Sequence, residues 1–141
     1  MILRRQALVL LALVGLLVAT YLWLYKIGVV GELRCGTGSC ETVQASRYAE
    51  LLGLPVALYG VAGYAMLFAL GLAGLAPARA SDARLGVLLA ALATVGFSFT
   101  LYLTAIELFV LHAVCRWCVA SAGIMTAIWV LSLSLLGRAA R

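Results

Sequence analysis

Residues 6–25 read Gln6-Ala-Leu-Val-Leu-Leu-Ala-Leu-Val-Gly-Leu-Leu-Val-Ala-Thr-Tyr-Leu-Trp-Leu-Tyr25, twenty positions without a charge. At 1.5 Å per residue, about 20 helical residues cross a hydrocarbon core of roughly 30 Å. A charge at the bilayer centre costs several kcal/mol, so charged residues punctuate a chain of this kind into spans. Three further charge-free windows follow, at residues 51–78, 85–106 and 117–137. The second is too long for one crossing, but Gly53 and Pro55 interrupt its start. Proline is tolerated in the first turn of a helix, which starts the span near Pro55 and ends it near Pro77. The expected fold is an all-α integral membrane bundle of four transmembrane helices, at about 6–25, 55–77, 85–110 and 116–137. Tyr21, Trp23, Tyr25 and Trp117 suit the aromatic belts at the membrane surfaces.

The composition points the same way. Of 141 residues 66% are hydrophobic and only 15 are charged, with a mean hydropathy of +1.16. A soluble domain has roughly 45–50% apolar and 25% charged residues, so soluble, disordered and collagen-like classes are excluded. Arg4 and Arg5 before an apolar run resemble a secretory leader. The run is longer than the usual 7–15 residue core, and no small-x-small cleavage site follows Tyr25, so the expectation is a retained helix. Nothing marks a second domain, and residues 1–141 are read as one membrane domain.

Four spans put Arg4, Arg5, Arg79, Arg84, Arg138 and Arg141 on one side against Asp82 alone, a net +5. On the other side Lys26, Arg34, Arg47 and Arg116 balance Glu32, Glu41, Glu50 and Glu107. The positive-inside rule then places both termini in the cytoplasm and all four cysteines outside. The same asymmetry accounts for the net charge of the chain without a nucleic-acid partner.

Those cysteines form two pairs. Cys35 and Cys40 bracket Gly-Thr-Gly-Ser in the outer loop, 31–54, whose glycines let the backbone turn and swing. After them Val43, Tyr48, Leu51 and Leu52 fall on one helical face, with Gly53 placed as a C-terminal cap, a pattern that predicts a short amphipathic surface helix. Cys115-Arg-Trp-Cys118 opens the fourth span, where residues three apart share a helical face. The free amides and dipole of a helix N-terminus favour a thiolate there. Ser121, Ala122 and Met125 continue the same face, and their small members leave room for a flat ligand. Two inert disulfides or a four-cysteine zinc site are the alternative readings; C-x4-C with C-x2-C falls within zinc spacing. Dithiol–disulfide exchange between the pairs uses all of these features together.

The loop pair, Ser46-Arg47-Tyr48, Gly53-Leu-Pro55-Val-Ala-Leu-Tyr-Gly60 and Cys115-Arg-Trp-Cys118-Val-Ala-Ser-Ala together resemble the bacterial branch of the vitamin K epoxide reductase family. The resemblance spans about 90 residues from Cys35 through the fourth span. Disulfide-forming membrane proteins of the DsbB family do a similar task, but carry C-x-x-C in the first outer loop. The resemblance implies a bundle around a quinone, menaquinone or ubiquinone, in the cell inner membrane. It makes Cys118 the quinone-facing thiol and Cys115 its exchange partner. Cys35 and Cys40 would relay electrons from a thioredoxin-like or DsbA-like protein, here expected as a separate chain. The contacts implied around the ring are Cys118, Ser121, Ala122, Val56 and Tyr59.

Three departures narrow this expectation. Only four residues separate Cys35 from Cys40, short for the family. Ala122 stands where the vertebrate enzymes place a tyrosine, and Val56 replaces their asparagine. Plain quinone reduction is therefore expected in place of epoxide reduction. Ser46 is read as a hydroxyl within the lid or a solvated helix residue, and Arg47 as a cation near lipid phosphate. Glu107 and His112, near the outer end of the third span, are candidates to relay a proton or simply interfacial polar groups. Ser98, Thr100, Tyr102 and Thr104 are expected in helix packing. The rings of Tyr59, Tyr64 and Trp129 also suit packing.

Overall fold

The structure is a computed structural model describing residues 2–29, 47, 50–79, 82–112 and 116–139. Its helices are α1 (Ile2–Lys26), α2 (Val56–Leu75), α3 (Ala83–Ala105) and α4 (Arg116–Ala139). The helical chain of α3 continues through a π-helical segment, Ile106–Leu111. With that continuation, all four are long and apolar enough to cross a membrane. This is an integral membrane helical bundle. Large apolar side chains such as Leu3, Leu10, Leu17, Val95 and Phe109 are exposed on its outside, where lipid replaces water as the solvent.

The ends of the helices follow local chemistry. Asp82 caps α3 by accepting a hydrogen bond from the Arg84 amide at 3.0 Å. Pro55 stands immediately before α2 with φ −58°, compatible with its ring, and needs no donor for the first turn. α2 stops at Leu75, followed by extended Ala76 and then Pro77. The π segment closes on His112 in the left-handed region, φ 51°, whose amide donates to the Glu107 carbonyl.

The surface helix expected after Cys40 does not extend through residues 50–55. β1 (Glu50–Leu51) and β2 (Leu54–Pro55) pair antiparallel as a tight hairpin. Its two turn residues, Leu52 and Gly53, have φ of 56° and 80°. Positive φ at both central positions is what a type I′ hairpin turn requires, so Gly53 turns a hairpin and caps no helix. The earlier part of that expectation, at Val43, Ser46 and Tyr48, lies outside the described residues. Arg47 is described and exposed.

α1 packs chiefly on α2, and α3 on α4, while α1 also runs along α4. The core between them holds Leu8, Ala12, Tyr64, Leu67, Ala93 and Ile128. Small residues set the close approaches: a Cβ on Gly15 would stand 2.2 Å from Cε1 of Tyr64, so only glycine admits that ring. Between α3 and α4 the rings of Phe97 and Trp129 stack at 4.2 Å, and Trp129 Nε1 donates to Thr94 Oγ1 at 3.1 Å.

Polar contacts mark the two ends of the bundle. At one end the Arg5 guanidinium donates to the Gly74 carbonyl, joining the start of α1 to the end of α2. At the other, Tyr21 of α1 meets Trp117 of α4 at 5.0 Å between centroids, and Lys26 Nζ lies 3.8 Å from Glu50 Oε1. The Lys26–Glu50 pair, half-buried at the lysine and exposed at the carboxylate, adds little stability but ties the hairpin to the end of α1. The start of α4, with Cys118, therefore shares an end of the bundle with the hairpin.

Candidate functional site: an intramembrane cavity beside Cys118

Cys118 stands in the first turn of α4, half-buried, and lines a cavity among all four helices. The cavity encloses about 1000 Å³ free of atoms, its open mouth included. Each helix contributes one face. Cys118, Ser121, Ala122 and Met125 come from α4, at the spacing of one helical stripe. From α2 come Val56, Ala57, Tyr59, Gly60, Gly63 and Tyr64. α3 and its π continuation supply Gly96, Phe99, Thr100, Leu103, Thr104, Ile106, Glu107 and Leu111, and α1 closes the side with Ala19 and Leu22.

The lining is mainly apolar, with aromatic faces at Tyr59 and Phe99 and small residues at Ala57, Gly60, Gly63 and Ala122. Missing side chains at the glycines give breadth, and the Tyr59 and Phe99 rings, edge-on at 6.4 Å, shape one wall. A few hydroxyls and one carboxyl supply the polar points. Such a lining suits a flat, lipid-soluble ring with polar edge atoms.

Two of these hydroxyls are committed to the scaffold. Tyr64 is 2% exposed; its hydroxyl donates to the Ser121 carbonyl at 2.9 Å and lies 2.8 Å from Ser121 Oγ. This pins α2 to α4 one turn beyond Cys118. The Tyr59 hydroxyl donates to the Leu51 carbonyl at 2.8 Å, so its ring links the hairpin to the cavity wall.

The cavity thus brings together Cys118, Ser121, Ala122, Val56 and Tyr59. Cys35, Cys40 and Cys115 lie outside the described residues. Glu107 and His112, both considered for proton relay, part company: Glu107 is buried in the lining, whereas His112 is exposed and does not line it. Thr100 and Thr104, expected in helix packing, line the cavity; Ser98 and Tyr102 are exposed. Phe99 and Gly60 are lining residues that the sequence reading did not single out. A signal for the α3 face was present, since Gly96, Thr100, Thr104 and Glu107 recur at spacings of four, four and three.

The site is thus a half-buried cysteine in the first turn of a membrane helix, set in the wall of an apolar cavity within the bundle. The sequence matches the vitamin K epoxide reductase family over residues 6–133, and the chain belongs to that family. This makes it a membrane oxidoreductase of a family that generally acts with quinones. No curated protein matches the chain.

Proposed function

We propose that the chain is a thiol:quinone oxidoreductase that supports disulfide formation in an outer compartment. The observation that carries this reading is the placement of Cys118 in the wall of an apolar cavity, one turn from Ser121 and Ala122. A lipid-soluble quinone meets in that cavity a mainly apolar lining with aromatic faces and a thiol at a helix start. Cys115 and Cys118, as a dithiol, lose two electrons and two protons and form one S–S bond. The quinone gains both electrons and both protons and leaves as quinol. The chain's residues supply placement and the electrostatic setting, while the quinone supplies the electron-accepting chemistry.

Cys35 and Cys40 then reduce the Cys115–Cys118 disulfide by thiol–disulfide exchange and receive electrons in turn from a thioredoxin-like or DsbA-like protein. The arginine-rich end of the bundle, with Arg4, Arg5, Arg79 and Arg84, faces the cytoplasm of a bacterial inner membrane, and the cysteines face out. Val56 and Ala122 offer the ring no hydrogen bond, which favours plain quinone reduction over epoxide chemistry. The test is turnover with dithiothreitol and menadione, a short naphthoquinone. Cys118→Ala abolishes quinol formation if the reading is right, and a Cys118→Ala variant at wild-type rate overturns it.

A further inference from the structure

A carboxylic acid inside a membrane helix is costly and is retained where it faces a functional interior. Glu107 is such an acid: it is 6% exposed and is the only buried carboxyl among the described residues. It lies in the wall of the cavity that also holds Cys118. The backbone at Glu107 is the π-helical segment Ile106–Leu111, the only π turn among the described residues. Such turns are frequent at functional sites.

We propose that Glu107 is the acid that hands a proton to the ring oxygen of the quinone in this cavity. The inference rests on the quinone reading above. Forming one S–S bond from Cys115 and Cys118 breaks two S–H bonds, and making the quinol forms two O–H bonds. One of these protons passes through Glu107: its carboxyl O–H gives a proton to the ring oxygen, and the carboxylate then takes up one released by the thiols. Glu107 ends the cycle as it began, and no further oxidant or reductant enters. The titratable side chains sharing the cavity are Tyr59 and Tyr64 from α2 and Cys118 from α4, while α1 contributes only Ala19 and Leu22. Both tyrosine hydroxyls already donate to backbone carbonyls, of Leu51 and Ser121. Glu107 is the one carboxyl among the lining residues.

The experiment uses the full chain in lipid nanodiscs, with dithiothreitol as reductant and menadione as acceptor. For Glu107→Gln, kcat falls about 100-fold, in the range of general acid catalysis, while KM for menadione stays within about threefold. Glu107→Asp, which keeps the acid, recovers at least about a tenth of the wild-type kcat. A purely structural role would lower both variants together and raise KM, and that result overturns the proposal. So does a Glu107→Gln variant with wild-type kcat. A wild-type chain that reduces no quinone overturns the quinone reading itself, and the role of Glu107 falls with it.

Discussion

Tyr64 Oη lies 2.8 Å from Ser121 Oγ and donates to the Ser121 carbonyl at 2.9 Å, joining α2 to α4 one turn beyond Cys118. The tyrosine is held from its other side by α1, where Gly15 leaves space for the ring. Three helices thus converge on one side chain at the cavity wall, and the position of Cys118 is set by packing as well as by its own helix.

Removing that hydroxyl therefore loosens the wall without touching the thiol. Tyr64→Phe leaves the Ser121 hydroxyl short of a partner inside the bundle and costs about 1 kcal/mol, the scale of interhelical hydrogen bonds in membranes. Thermal unfolding in detergent measures the loss; unchanged stability would show that the contact carries nothing.

Gly15→Ala is more damaging. The new Cβ would fall 2.2 Å from Cε1 of Tyr64, and the buried ring has little room to retreat. A destabilisation of about 1–3 kcal/mol or more is expected. Tyr64→Leu in the same chain should relieve part of it, since neighbouring substitutions couple. Additive losses in the double variant would contradict the contact.

Much of the bundle was legible because lipid excludes charge. The run at 6–25 falls within α1, and Pro55 and Pro77 flank α2. The charge-free window closes at residue 106, yet the span expected at about 85–110 runs through Glu107, and the helical chain does continue to Leu111. The reason is that Glu107 turns into the cavity and away from lipid. The hairpin at Glu50–Pro55 was missed because Leu51, Leu52 and Leu54 satisfy a helical period as well as an extended one. The two positive φ angles that decide it are invisible in a period. On α4, Cys118, Ser121 and Ala122 were readable as one stripe. The opposing wall at Phe99 and Gly60 was not, because a sequence does not state which faces of separate helices meet.

The charge asymmetry yields a topology prediction. A reporter fused after Arg141 is active in the cytoplasm, and a membrane-impermeant thiol reagent labels reduced Cys35 or Cys40 from outside. Labelling confined to the cytoplasmic side would reverse the orientation.

The loop pair receives electrons from a protein but is not required to pass them to quinone. Cys35→Ala or Cys40→Ala should stop oxidation of a thioredoxin-like partner while dithiothreitol still drives quinol formation at the Cys115–Cys118 pair. Equal loss of both activities would overturn this order of transfer.

The most direct test of the central claim is anaerobic mixing of the fully reduced chain with menadione, following quinol by absorbance and the cysteines by mass spectrometry. The account predicts at least one quinol per chain, with Cys115 and Cys118 converted to a disulfide. In the Cys118→Ala variant no quinol forms. Quinol formed at wild-type yield by that variant, or no quinol from the wild-type chain, would contradict it.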